Sequence, residues 1–199
     1  MTASGCSSSS PRPAGQRRSS TAPPASGAVL VAYFSRAGEN YHYGGRTHLQ
    51  VGNTERLAQM ISRYIDCDVH RILPADPYPD DYDQTVQRNV REQDTDARPA
   101  IAGPLPNVDH YDTVLLGSPI WNVRAPMIMT TFTERLDLRG KTVVPFTTQV
   151  MSGLGTTARD YAASCPGAGI AEGLAVRGEE VDDAGAEIRA WFQRLRLRM

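Results

Sequence analysis

Ser35, Arg36, Ala37 and Gly38 follow a short apolar run at residues 29–34, and Gly52, Asn53 and Thr54 precede a stretch with helical spacing. Together they would place hydroxyls, a carboxamide and free backbone N–H groups where a buried strand ends and a helix begins. The first amides of a helix have no intrahelical partner, and the helix dipole is positive there. Such a junction binds anions, phosphate above all. An ordinary capped helix carries the same residue types, so the rest of the chain has to decide between the two readings. The junction has neither the Gly-Lys-Ser/Thr of a nucleotide-triphosphate loop nor a Gly-x-Gly-x-x-Gly fingerprint.

Two further loops carry suitable chemistry. Gly117-Ser118-Pro119-Ile120-Trp121-Asn122 puts an indole and a carboxamide directly after an apolar run. A flat aromatic of this kind can be core or surface filler. It can also stack on a flat heterocycle, contributing about 1 kcal/mol beyond the area it buries. The third loop contains Thr147, Thr148, Gln149, Ser152 and Gly153. Its glycine permits close backbone approach, and its hydroxyls and amide can meet the polar edge of a ring. As an alternative it is a plain flexible connection. Each loop alone is a weak signal, but three at one edge of a sheet would be a strong one.

The elements that must position these loops follow from hydrophobic periodicity. Residues 29–34, 111–117 and 142–147 are runs suited to strands buried on both faces, whereas 67–73 alternates as a more exposed strand and 169–176 is a final one. Helical spacing predicts helices at 54–65, with Asn53 as N-cap, and at 80–97. Pro126 opens a further helix with Ile128, Met129, Phe132 and Leu136 on its apolar face. A short helix at 155–164 and an amphipathic one at 182–197 complete the series. Strand and helix alternate five times, which predicts an α/β fold: a three-layer, doubly wound, five-stranded parallel sheet. In such a sheet ligands bind at the carboxyl ends of the strands, where all three loops fall.

Composition narrows the function. The 199 residues carry 21 Lys and Arg against 22 Asp and Glu. That balance argues against a nucleic-acid binder, and no apolar run approaches the roughly 20 residues of a membrane span. Cys6, Cys67 and Cys165 lack metal spacing and any Cys-x-x-Cys pair. Residues 1–26 are rich in Ser, Pro, Ala, Gly and Thr, and we read them as a disordered tail preceding a domain at 27–199. Ala3-Ser4-Gly5-Cys6 followed by serines resembles the end of a bacterial lipoprotein signal. The expectation is an exported protein, lipid-anchored through Cys6, if an apolar segment lies upstream; otherwise the location is cytoplasmic.

Taken in order, Tyr-Phe-Ser-Arg-x-Gly (33–38), Gly-Asn-Thr (52–54), Gly-Ser-Pro-Ile-Trp (117–121), Gly-Lys-Thr-Val (140–143) and Ser-Gly-Leu-Gly (152–155) resemble the flavodoxin-like family. The resemblance runs from Val29 to the last helix. It implies strand order 2-1-3-4-5 and FMN as cofactor. The phosphate would lie on Ser35, Arg36, Ala37, Gly38, Asn53 and Thr54. The isoalloxazine would lie between the loop of Ser118, Pro119, Ile120, Trp121 and Asn122 and the loop of Thr147, Thr148, Gln149, Ser152 and Gly153. In two places the chain departs from the compact Ser-x-Thr-Gly-Asn-Thr form. Ala37 replaces the threonine, removing a hydroxyl worth about 1 kcal/mol. Residues 39–51 are inserted, bringing Tyr41, His42, Tyr43, Arg46 and His48. That insertion reads as a lid, a phosphate clamp, a partner surface or a plain surface loop. The function implied is FMN-dependent oxidoreduction with NAD(P)H or a redox protein as donor, and NAD(P)H with a quinone-like acceptor is favoured. The alternatives are a non-catalytic electron shuttle and a scaffold that has lost FMN. Flavin carries the chemistry in the first case, so no side chain is assigned as a catalytic acid or base.

Overall fold

The computed structural model describes Met1 and residues 28–199. The tail and its proposed anchor at Cys6 lie outside the described residues. The elements run β1 (Ala28–Tyr33), β2 (Gly38–His42), β3 (Gly45–Leu49), α1 (Asn53–Ile61), β4 (Asp68–Arg71), α2 (Tyr82–Asp94), β5 (Tyr111–Pro119) and α3 (Met127–Glu134). They continue with β6 (Thr142–Gln149), α4 (Thr157–Ser164), β7 (Gly169–Ile170), β8 (Leu174–Arg177), a 3-10 turn (Gly178–Asp183) and α5 (Gly185–Leu195). Among the described residues no helix is long and apolar enough to cross a membrane.

The main sheet is parallel, in the order β4-β1-β5-β6, with β7 and β8 both on the outer side of β6. With the inserted pair β2 and β3 set aside, this is the 2-1-3-4-5 order. The period of two along β1 shows why three layers form. Val29, Val31 and Tyr33 face Leu57, Ile61, Ile188 and Trp191 of α1 and α5. Leu30, Ala32 and Phe34 face Ile128, Met129 and Phe132 of α3 and Tyr161 of α4. Both faces of the central strand are thereby buried.

Three expectations need correction. The fifth strand, expected to run unbroken through 169–176, is split into β7 and β8. Val143 pairs Ile170 and Phe146 pairs Leu174, so three residues of the outer strand oppose two of β6. One of those two is Pro145, which has no N–H to donate, and the outer strand bulges past it. The first helix is capped by Gly52 rather than Asn53, and it has no side-chain cap. The inserted segment is a hairpin: β2 and β3 pair antiparallel as a separate two-stranded sheet. Its tip, Tyr43-Gly44, has positive φ at both residues (44° and 84°), the geometry of the primed turns that suit strand twist.

Candidate functional site

β1 ends on Tyr33; the N–H of the next residue, Phe34, still donates to the carbonyl of Gly117, and the chain then leaves the sheet at Ser35. Ser35 is buried, and its Oγ accepts the N–H of Glu55 at 3.0 Å, in the first turn of α1. The amides of Asn53 and Thr54, at the first two helical positions, have no intrahelical carbonyl within reach. Gly52 lies against the backbone of Arg36 and the hydroxyl of Ser35, where any Cβ would collide. The junction is therefore a close-packed concavity of amides and hydroxyls. Thr54 reaches across the sheet edge to Thr148, Oγ1 to Oγ1 2.7 Å, tying the helix start to the end of β6.

These groups line one cleft, which encloses about 100 Å³ and opens to solvent for about 600 Å³ in all. Ser35, Arg36, Asn53 and Thr54 form its helix end, and Pro119, Ile120 and Trp121 from the end of β5 with Thr148 and Gln149 from the end of β6 are the other expected residues that line it. The Trp121 ring stands edge-on to Phe34 (5.6 Å between centroids) and to Tyr78 (5.1 Å). Its carbonyl accepts from Gln93 of α2 at 3.1 Å. Tyr78 is fixed in turn: its hydroxyl donates to Glu92 at 2.7 Å, and the Arg88 guanidinium lies 4.0 Å over its ring. The indole is thus held by a core cluster and a buried polar network.

Other residues expected at the site stand outside the cleft wall. Ser118 and Thr147 point into the core: Ser118 is fully buried near Tyr161, and the Thr147 hydroxyl donates to the carbonyl of Gly153 at 3.2 Å, drawing in the loop of Ser152 and Gly153. Asn122 turns to α2, donating to Gln93 at 3.2 Å. Gly38 opens β2 at φ 85° with Asp80 packed against it, and Ala37 precedes it without entering the wall. Arg36 lines the cleft, but its guanidinium donates to the carbonyls of Pro79 (2.9 Å), Asp80 (3.1 Å) and Glu39. Burial lowers its pKa, with the charges of Asp80 and Glu39 opposing that effect. Arg36 accordingly anchors the hairpin to the loop before α2.

Sequence reasoning missed Asn40, Tyr82, Val150, Gly178 and Glu179, which also line the cleft, and placed Tyr41 in the insertion without assigning it. Gly178 and Glu179 follow β8, so they lie at the same carboxyl edge as the other loops. Applying the strand-end rule to the fifth strand would have found them. Asn40, Tyr41 and Tyr82 depend on the fold of the hairpin, for which the sequence offered only the Tyr-Gly tip.

A parallel sheet in this order, with polar loops converging at its carboxyl edge around a helix start with two free amides, defines the flavodoxin type of α/β protein. The sequence matches the family model for flavodoxin over residues 28–195. The chain belongs to the flavodoxin family. Among solved structures it resembles a Bacteroides eggerthii protein assigned to the flavoproteins, at 31% identity and TM-score 0.68, covering 86% of this chain and 99% of that one. A similarly assigned protein from Bacteroides uniformis has 29% identity and TM-score 0.65, with coverage of 83% and 99%. A flavoprotein from Lactobacillus acidophilus, solved in complex with FMN, shares the fold at 19% identity and TM-score 0.59, with coverage of 79% and 97%. No protein of curated function matches the chain.

Proposed function

We propose that the chain binds FMN in this cleft and is an oxidoreductase that takes electrons from NAD(P)H and passes them to a quinone-like or other small electrophilic acceptor. One observation carries the reading: the start of α1, with the free amides of Asn53 and Thr54, and the Trp121 indole belong to the same cleft. The residues present fit the cofactor. The free amides of Asn53 and Thr54 with the Ser35 hydroxyl suit a phosphate, and buried Gln149 Oε1 has no partner among the described residues. FMN supplies the hydride and electron chemistry when bound.

The chain's own part is binding and positioning. Ser35, Asn53 and Thr54 would hold the phosphate by neutral donors, since the nearby Arg36 is committed to backbone carbonyls. Trp121, held rigidly on Phe34 and Tyr78, would cover one ring face and exclude water from it. The near-balanced charge favours turnover of small molecules over docking to a redox protein, which relies on complementary charge. Purified protein is expected to show flavin absorbance bands and to consume NAD(P)H in the presence of a quinone. Flavin bands without NAD(P)H consumption would favour the electron shuttle. Absence of flavin, with no binding of added FMN, would overturn the reading.

A further inference from the structure

We infer that Glu179 is a ligand-binding residue of the cleft, its Oε2 accepting a hydrogen bond from a hydroxyl on the polyol chain of the bound cofactor. The inference rests on the flavin reading above and adds to it a residue and a chemical requirement. Glu179 sits in the 3-10 turn after β8, and its side chain is only 2% exposed. Oε1 accepts the N–H of Tyr43 at 3.0 Å, which latches the hairpin tip to the far side of the cleft. Oε2 is buried and has no hydrogen-bond partner among the described residues. The nearest cationic nitrogen, Arg177 Nε, is 3.9 Å away, too far to donate, and lies closer to Glu180 Oε1, at 3.5 Å. A buried carboxylate oxygen without a donor is costly, and native sites seldom leave one so.

The neighbouring strand end repeats the pattern. Gln149 pairs in register with Arg177, and its buried Oε1 is also without a partner. Gln149 and Glu179 both line the cleft, and Gly178 packs against Asn53 at the helix start. This wall thus carries acceptors, whereas the helix start carries donors. A ligand with an anion at one end and a hydroxyl-bearing chain next to it satisfies both. Glu179 would repel an anion placed on its own side and so direct the phosphate to α1. A hydrocarbon chain would leave the two oxygens unsatisfied. A site built to receive a hydroxyl discriminates strongly against the analogue that lacks it.

The test is a binding titration of the cofactor-free protein, read by flavin fluorescence. It uses FMN and an analogue that keeps the ring and phosphate but joins them by a plain pentyl chain. Wild type is expected to bind the analogue roughly ten- to hundredfold more weakly, the range for hydrogen bonds to a charged acceptor. In Glu179→Ala, and in Glu179→Met, which fills the space without an acceptor, that ratio should fall about tenfold. Glu179→Gln, which retains an acceptor, should keep most of it. Loosening of the hairpin latch affects both ligands alike and cancels in the ratio. An unchanged ratio in both Ala and Met variants overturns the inference and leaves the flavin reading standing. If wild type binds neither flavin, the flavin reading falls and this inference with it.

Discussion

At the scale of single residues, the Thr54–Thr148 contact gives the helix start two roles. Each hydroxyl partners the other while both line the cleft. Thr54→Ala should lower stability by about 1–2 kcal/mol, because the buried Thr148 hydroxyl loses its partner. It should also weaken FMN more than riboflavin, which has no phosphate. Urea unfolding reads the first effect and paired flavin titrations the second; equal loss for both flavins would mean that Thr54 acts through the fold alone. Trp121→Ala should weaken FMN binding, raise flavin fluorescence and move the reduction potential upward, since a ring face freed from apolar cover holds reduced charge more easily. Trp121→Phe should preserve more of the affinity. Val123 offers a different test. It has φ 64° beside Asn122 at φ 48°, in a turn closed by the Trp121–Arg124 bridge, and it is exposed. A β-branched residue is strained there, while Asn-Gly is the preferred pair for a turn with two positive φ angles. Val123→Gly is therefore expected to raise stability by about 1 kcal/mol despite the lost side chain, which thermal melts would show.

At the scale of elements, the hairpin bridges both sides of the cleft without joining the main sheet. On one side Glu39 N–H donates to Asp80, Glu39 accepts the N–H of Tyr82 at 3.1 Å, and Arg46 grips Asp83 through two bonds of 3.0 and 2.7 Å. On the other side its tip is held by Glu179. Most of these links are exposed and polar, so their net stabilisation is small. Replacing residues 39–50 by a short glycine linker should therefore leave most of the thermal stability intact and speed flavin release; stopped-flow dissociation against free dye would show it. A variant that fails to fold would mean that the hairpin is part of the core. The hairpin also marks the limit of what the sequence made legible. Strands β1, β5 and β6 were readable because continuous Val, Leu and Phe runs have few other ways to be buried. The loops after them were readable because ligand edges follow from strand direction. Antiparallel pairing of Gly-Glu-Asn-Tyr-His with Gly-Arg-Thr-His-Leu has no buried face to write a period into the chain. The break at Pro145 is a partner-strand effect, visible only once β6 and its neighbour are paired.

At the scale of the whole molecule, buried phenols tie stability to pH in the alkaline range; burial raises the pKa of Tyr33 on the α1 and α5 face as well as those of two tyrosines on the opposite face. Tyr78 and Tyr161 both lie in the cluster formed with α3 and the face of β1 that carries Phe34. Burial pushes both phenol pKa values upward, and for Tyr78 the bond to Glu92 adds to the effect. The half-buried Cys67 thiol is pushed up to about 11, chiefly by burial. An acid whose folded pKa is raised binds its proton more tightly in the native state. Its contribution is complete below the unfolded value, about 10 for tyrosine, and is lost as pH rises from there toward the folded value. Unfolding free energy should therefore begin to fall above about pH 9 through the Cys67 thiol and more steeply above about pH 10, each such phenol adding up to about 1.4 kcal/mol per pH unit. The two tyrosines separate the causes. The Tyr161 hydroxyl and its neighbour at Ser118 complete no hydrogen bond of good geometry, so Tyr161→Phe removes an ionisable group and no bond. It should leave stability at pH 7 within about 1 kcal/mol of wild type and flatten the alkaline fall. Tyr78→Phe removes the donor to buried Glu92 and should cost about 1–3 kcal/mol already at neutral pH. It would also loosen the support of Trp121, so flavin affinity should drop in that variant and hold in Tyr161→Phe. Urea titrations at several pH values, paired with flavin binding, measure both. A Tyr161→Phe protein with the wild-type alkaline slope would place the proton release elsewhere in the fold.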